Sequence, residues 1–132
     1  MNSPAQDTVL VVDDEATVLN FCKLILTRGG LQVLTATSGP DAVRLVEHGE
    51  TRIRLALLDV VMPGMTGFEL AARLRQADSN IDILLMTGFS VNEVRNIAGG
   101  DCPYRIIWKP FKAESLLRMV QTVLDASPRK SP

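Results

Sequence analysis

The sequence predicts a doubly wound α/β domain, a five-stranded parallel sheet with helices on both faces. Three observations predict it. Short apolar runs alternate with longer amphipathic stretches five times over, the pattern of strand-helix crossover units. Several of the short runs have no polar face, as strands buried on both sides require. The 132 residues make one domain, and 46% of them are apolar, enough to bury about two-thirds of the unfolded surface around one core.

Residues 9–12 form the first strand, which runs into Asp13-Asp14-Glu15. The helix that follows carries apolar residues at Val18, Phe21, Cys22, Ile25 and Leu26, a stripe of 3.6-residue period, and Gly29-Gly30 stops it. Residues 31–36 alternate as a second strand. Ser38 and Pro40 open a helix whose inner face is Ala42, Leu45 and Val46 and which ends at Gly49. Residues 55–58 are the third strand, closed by Asp59. Met62-Pro63-Gly64 breaks regular structure. Thr66 and Glu69 have the spacing of a capping box, and the helix they open points Leu70, Ala71 and Leu74 inward. Residues 81–86 are the fourth strand, ending at Thr87-Gly88. Ser90 and Glu93 repeat the capping-box spacing before a short helix with Val94, Ile97 and Ala98, which Gly99-Gly100 ends. Residues 105–108 are the fifth strand, followed by Lys109-Pro110. The last helix aligns Leu116, Leu117, Val120, Val123 and Leu124. Residues 1–7 read as an N-terminal tail and 127–132, Ser-Pro-Arg-Lys-Ser-Pro, as a C-terminal tail or the start of a linker.

Composition narrows the function. The net charge is −1, so no basic excess favours nucleic acid. No run of 18 apolar residues exists to span a membrane. The opening MNSPAQDT is polar and lacks a signal-peptide apolar region, so the expected location is the cytoplasm. Cys22 and Cys102 do not make a disulfide framework, Cys22 reading as core. One histidine, His48, without a cysteine cluster argues against a zinc site or a histidine triad.

In a parallel sheet the C-terminal strand ends share one edge. Asp13 and Asp14, Asp59, Thr87 and Lys109 all stand at such ends. Three clustered carboxylates repel and hold protons unless a cation joins them, and hard oxygen donors suit Mg²⁺. Lys109 would hold phosphoryl oxygens as a point charge, Thr87 would donate a hydrogen bond, and Asp59 would be the attacking oxygen that forms an acyl phosphate. Each residue alone has a plainer role. Asp13-Asp14-Glu15 would favour the positive end of the next helix, Thr87 would be a loop residue, and Lys109 a solvated strand end. The coincidence of all five on one edge favours the site.

In this order, Asp13-Asp14 after VLVV, Asp59 within LLDVVMPGMTG, Thr87-Gly88 after ILLM, and Lys109-Pro110-Phe111, the chain resembles the receiver domain of two-component response regulators over about residues 8–126. The resemblance implies a flavodoxin-like three-layer fold of strand order 2-1-3-4-5. It implies that Asp59 accepts a phosphoryl group from a histidine kinase or phosphotransfer protein. Mg²⁺ would be held by Asp14, Asp59 and the backbone carbonyl of Val61, with Asp13 acting through water. Thr87, Gly88 and Lys109 would bind phosphate and relay the change, and Lys109-Pro110 would be a cis peptide. The implied partner surface is the face made by the fourth helix, fifth strand and fifth helix, open to an output domain, a partner protein or a second copy in a dimer. Direct nucleic-acid or membrane binding is not implied, and the domain would assist only its own phosphorylation and dephosphorylation rather than act as an enzyme. The linker-like ending favours a piece of a longer regulator or hybrid kinase over a stand-alone receiver.

The chain departs from the family at two places. Ile106 stands where an aromatic is usual, and Tyr104 is two residues, about 6.5 Å, away along the strand. Residues 99–103, GGDCP, also differ. Switching is therefore expected to run through Thr87 and the loop after it, including Phe89. Val61 and Phe89, each two residues past a site residue, would flank the phosphate. Both are apolar and unable to orient water, so slow self-dephosphorylation is expected. An aspartate-nucleophile phosphatase would place Asp-x-Asp after the first strand, where this chain has Asp-Asp-Glu. An FMN-binding module would need a glycine- and hydroxyl-rich loop there. A phosphorylation-independent pseudo-receiver would be expected to lack part of the five-residue set.

Overall fold

In the chain's computed structural model, which describes residues 6–127, the elements run β1 (Thr8–Val12), α1 (Ala16–Arg28), β2 (Gln32–Ala36), α2 (Gly39–His48), β3 (Leu55–Asp59), β4 (Val61–Met62), β5 (Met65–Thr66), α3 (Gly67–Ala77), β6 (Asp82–Thr87), α4 (Val91–Ala98), β7 (Arg105–Trp108) and α5 (Ala113–Ala126). The five long strands are parallel in the order β2-β1-β3-β6-β7. Counting long strands only, this is the expected 2-1-3-4-5. Among the described residues no helix is long and apolar enough to cross a membrane.

Side chains of the sheet divide by parity, because successive residues of a strand face opposite sides. Leu10, Val12, Ala56, Leu58, Ile83 and Leu85 meet Ala42, Val43, Leu70, Ala71 and Leu74 of α2 and α3. Val9, Val11, Leu55, Leu57, Leu84, Met86 and Ile107 meet Leu19, Cys22 and Leu26 of α1 and Leu116, Val120 and Leu124 of α5. β1 and β3 are buried at every position, so they read as apolar runs rather than alternating ones.

Helix starts follow their caps. Asp41 N–H donates to Ser38 Oγ at α2. Thr66 with Glu69 and Ser90 with Glu93 form reciprocal capping boxes at α3 and α4. At the sheet's other edge, Arg54 donates to Asp7 Oδ1 at 3.2 Å and to the carbonyl of Leu124 at 3.3 Å. Asp7, at the end of the expected N-terminal tail, is thus tied to the domain. The rest of that tail and most of the C-terminal one lie outside the described residues.

Two local expectations change. The inner face of α1 is Leu19, Cys22 and Leu26, while Phe21 and Leu24 are exposed. Phe21 instead meets the Phe111 ring, with centroids 6.1 Å apart, so an apolar stripe wider than the core contact accounts for the misreading. The Met62-Pro63-Gly64 break is a small antiparallel hairpin in which Val61 pairs with Thr66 and Met62 with Met65. Gly64 takes φ +82°, the conformation required after proline in a type II turn.

Thr66 holds α3 directly after the β3 loop, so its loss tests that junction. Thr66→Ala is expected to cost about 1 kcal/mol, read as a lower urea midpoint with an unchanged slope.

Candidate functional site

Register and parity bring the site together. Val12 pairs with Leu58, so Asp13, just past β1, and Asp59, the last residue of β3, stand at the same level on neighbouring strands. Both continue the parity of the α1/α5 face, as Lys109 does after Ile107. The strand ends are anchored beyond the ladder: Asp13 N–H donates to the Ala36 carbonyl at 3.2 Å, Val60 N–H to Met86 at 3.0 Å, and Lys109 N–H to Thr87 at 2.7 Å. Lys109 begins two strands away from Asp59, and its long side chain closes the distance. Gly88, just past the end of β6, offers no side chain in the way; a Cβ there would lie 3.9 Å from the Lys109 Cβ.

The Lys109 ammonium donates to Asp13 Oδ2 at 2.9 Å and lies 3.7 Å from Asp59 Oδ2. The other Asp13 oxygen accepts the Glu15 N–H at 2.9 Å, and Asp59 Oδ1 accepts the Val61 N–H at 3.4 Å. Asp13 and Asp59 are buried, whereas Asp14 is exposed at the rim. One oxygen from each of the three carboxylates falls within a 4.8 Å cluster. These are hard oxygen donors of the kind a divalent cation such as Mg²⁺ takes. Thr87 is buried on the opposite parity, and its Oγ1 accepts the Phe89 N–H at 3.0 Å. That leaves the hydroxyl proton available to an acceptor. The Lys109-Pro110 peptide is cis. Ile106 is half-buried against the α2/α3 layer, and so is Tyr104.

Burial, then the Asp13 charge, pushes the Asp59 carboxyl up to about 6, against the opposing pull of Lys109 and the Val61 N–H. Partial burial works against the Lys109 ammonium, but the Asp13 hydrogen bond and the charges of Asp59 and Asp13 outweigh it and raise its pKa. Cys22 lies under this cluster, and burial followed by the Asp13 charge raises its thiol to about 11. It is a packed core thiol rather than a reactive one.

Two features of the site escaped the sequence reading. Gly67 opens α3 directly against the back of Asp59: a Cβ there would stand 2.5 Å from the Asp59 carbonyl oxygen and 3.0 Å from the Val60 Cα. Its N–H donates to the Val60 carbonyl at 2.7 Å. A glycine at the first helical position is the signal that would have marked it. The second is a groove of about 580 Å³ beside Lys109, walled by Thr17, Val18, Phe21, Pro110 and Phe111. Phe21, turned away from the core, is one of its walls, and the periodicity of α1 gave no warning of that.

A carboxyl held near 6 costs stability when ionised. Its usual value is 3.8, so the cost is complete above about pH 6, shrinks as pH falls, and is gone below about pH 4. In chelator-containing buffer at pH 7.5, Asp59→Asn is therefore expected to stabilise the domain by about 2 kcal/mol, or roughly 5–10 °C in Tm. The gain should vanish in melts at pH 4.

Comparison with known proteins agrees with this geometry. The family described as response regulator receiver domain matches residues 9–121. The transcriptional regulatory protein AfsQ1 of Streptomyces coelicolor is 32% identical over 126 residues, covering 94% of this chain and 54% of AfsQ1. The chain spans about half the length of the curated relatives it matches. A response regulator receiver protein from Sinorhizobium medicae superposes with a TM-score of 0.81 at 27% identity, covering 96% of this chain and all of that one. The chemotaxis protein CheY4 of Vibrio cholerae gives 0.76 at 29% identity over 90% and 99% of the two chains. With its parallel sheet, its acidic edge and the lysine that reaches across to it, this chain belongs to the response regulator receiver domain family of two-component signalling.

Proposed function

We propose that Asp59 is the phosphoacceptor of this receiver, charged by a histidine kinase or a phosphotransfer protein. The observation that carries the reading is the Asp13–Lys109–Asp59 arrangement: a buried carboxylate with an ammonium 3.7 Å from one of its oxygens. Asp59 would attack the phosphorus of the donor, and the phosphorus–nitrogen bond to the donor imidazole would break. Lys109 would take up charge on the phosphoryl oxygens, and the Thr87 hydroxyl would donate to one of them. Asp14, Asp59 and the Val61 carbonyl, with Asp13 through water, are the groups we assign to Mg²⁺. When bound, the ion supplies positive charge that offsets the crowded carboxylates and the incoming phosphoryl group. The receiver unit is assigned to residues 8–126 and its location to the cytoplasm.

The added phosphoryl charge of about −1.5 to −2 would fall where Thr87 grips the Phe89 N–H at the start of the loop to α4. The output surface we assign is therefore α4, β7 and α5, for an output domain, a partner protein or a second copy. Val91 at the start of α4 and Phe89 just before it are exposed.

Incubation with acetyl phosphate and Mg²⁺ is expected to add one phosphoryl group, seen by intact mass. Asp59→Asn and omission of the metal should both abolish it. An unmodified wild-type chain under these conditions would overturn the assignment. Once formed, the phosphoprotein is expected to lose its group over minutes or longer, because Val61 and Phe89 are both apolar and exposed and neither positions a water. A half-life of seconds would contradict this.

A further inference from the structure

We propose that the groove beside Lys109 receives the apolar acyl group of a small-molecule phosphodonor, so that this receiver prefers acyl phosphates larger than acetyl phosphate. The inference names a substrate class for Asp59 and rests on Asp59 being the phosphoacceptor.

The groove and the aspartate share a residue. Lys109 is one wall of the groove, and its ammonium stands 3.7 Å from Asp59 Oδ2. A long lysine stem lines apolar space while its head stays with charge. Gly88 is another wall, and it contributes backbone alone. A phosphoryl group held between Asp59 and Lys109 therefore stands at the edge of the groove.

Apart from Thr17, the remaining walls are apolar: Val18 and Phe21 of α1, and Pro110 and Phe111 of the turn into α5. Val18 and Phe111 pack against the α1/α5 core layer, so their positions are held. Phe21 is not part of that layer. Its ring is 39% exposed and meets the Phe111 ring at 6.1 Å between centroids, with the planes inclined at 50°. The volume, about 580 Å³, falls within the roughly 300–1,000 Å³ of small-ligand sites. An occupant of this place needs a phosphoryl end for Lys109 and an apolar end for the two rings. An acyl phosphate carries both in one small molecule.

The chemistry balances without a further reactant. An Asp59 carboxylate oxygen attacks phosphorus and forms the new oxygen–phosphorus bond. The phosphorus–oxygen bond of the donor's mixed anhydride breaks, and its electron pair leaves with the carboxylate of the released acid. No proton moves. A longer acyl chain leaves these reacting atoms unchanged and adds only apolar surface, which the groove takes out of water. Acetyl phosphate offers one methyl group to two aromatic rings, so the rate should climb as the chain lengthens.

The test compares phosphoramidate with acetyl, propionyl and butyryl phosphate, each at the same subsaturating concentration with Mg²⁺, by intact-mass time courses on the native chain. Each added methylene is expected to raise the rate about two- to threefold, below the roughly fourfold of full burial because the groove is open to solvent. The butyryl-to-acetyl ratio, taken within each protein, isolates the groove from the reacting atoms. It should fall close to one in Phe21→Ala, which removes a wall, and in Thr17→Trp, which fills the groove from an exposed position. Equal rates for the three acyl phosphates in the wild type, or a ratio kept in both variants, would overturn the proposal. A wild type that takes no phosphoryl group from any donor, phosphoramidate included, would instead defeat the phosphoacceptor assignment, and this proposal would fall with it.

Discussion

The structure depends on a charge imbalance held at one edge of the sheet. Asp13 and Asp59 are both buried, and one ammonium, Lys109, serves both. Asp14 adds a third carboxylate at the rim. A buried negative cluster of this kind survives only if its geometry is fixed, since relaxation would let the carboxylates separate or admit water. The fold supplies that rigidity. β1 and β3 are sealed on both faces, and the backbone bonds of Asp13, Val60 and Lys109 continue the sheet past its last residue pairs. Gly67 allows α3 to close against the Asp59 carbonyl. The remaining strain is electrostatic, and it appears as the raised pKa of Asp59. At this edge the protein alone leaves negative charge unbalanced, the charge that the proposed cation would offset.

The parity of the sheet gives that charge a direction. Asp13, Asp59 and Lys109 belong to the α1/α5 side, and Thr87 to the other side. Under the proposed phosphorylation of Asp59, Thr87 is the residue through which an event on one face would be felt on the opposite one. The asymmetry of the helices fits this role. α1 and α5 bury three and four residues respectively against the sheet, whereas α4 buries one. Packed elements resist small shifts, and the loosely held one absorbs them. The groove beside Lys109 and the apolar residues around α4 lie on either side of this boundary.

Much of this was legible in the chain itself. Apolar runs of strand length ending in Asp13, Asp59, Thr87 and Lys109 placed these residues on one edge, because parallel strands share their C-terminal ends. Thr66 with Glu69 and Ser90 with Glu93 marked two helix starts, because capping is local in sequence. What a one-dimensional pattern does not hold is which side of a strand end each group takes, and how far its side chain reaches. The hairpin at residues 61–66 escaped because two-residue strands leave no periodic signal. Phe21 was assigned to the core because an amphipathic stripe does not say how wide the covering surface will be.

The sequence by itself determined the succession of the long strands and the helices and which side chains stand at the strand ends, since these follow from local patterns of burial and hydrogen bonding. Only the tertiary structure decided that Lys109 crosses β6 to meet Asp13 and Asp59, that Gly67 must be small, and that Trp108 stands exposed beside a buried Thr87. Each of those depends on register and packing between segments far apart in the chain, and no local propensity encodes them.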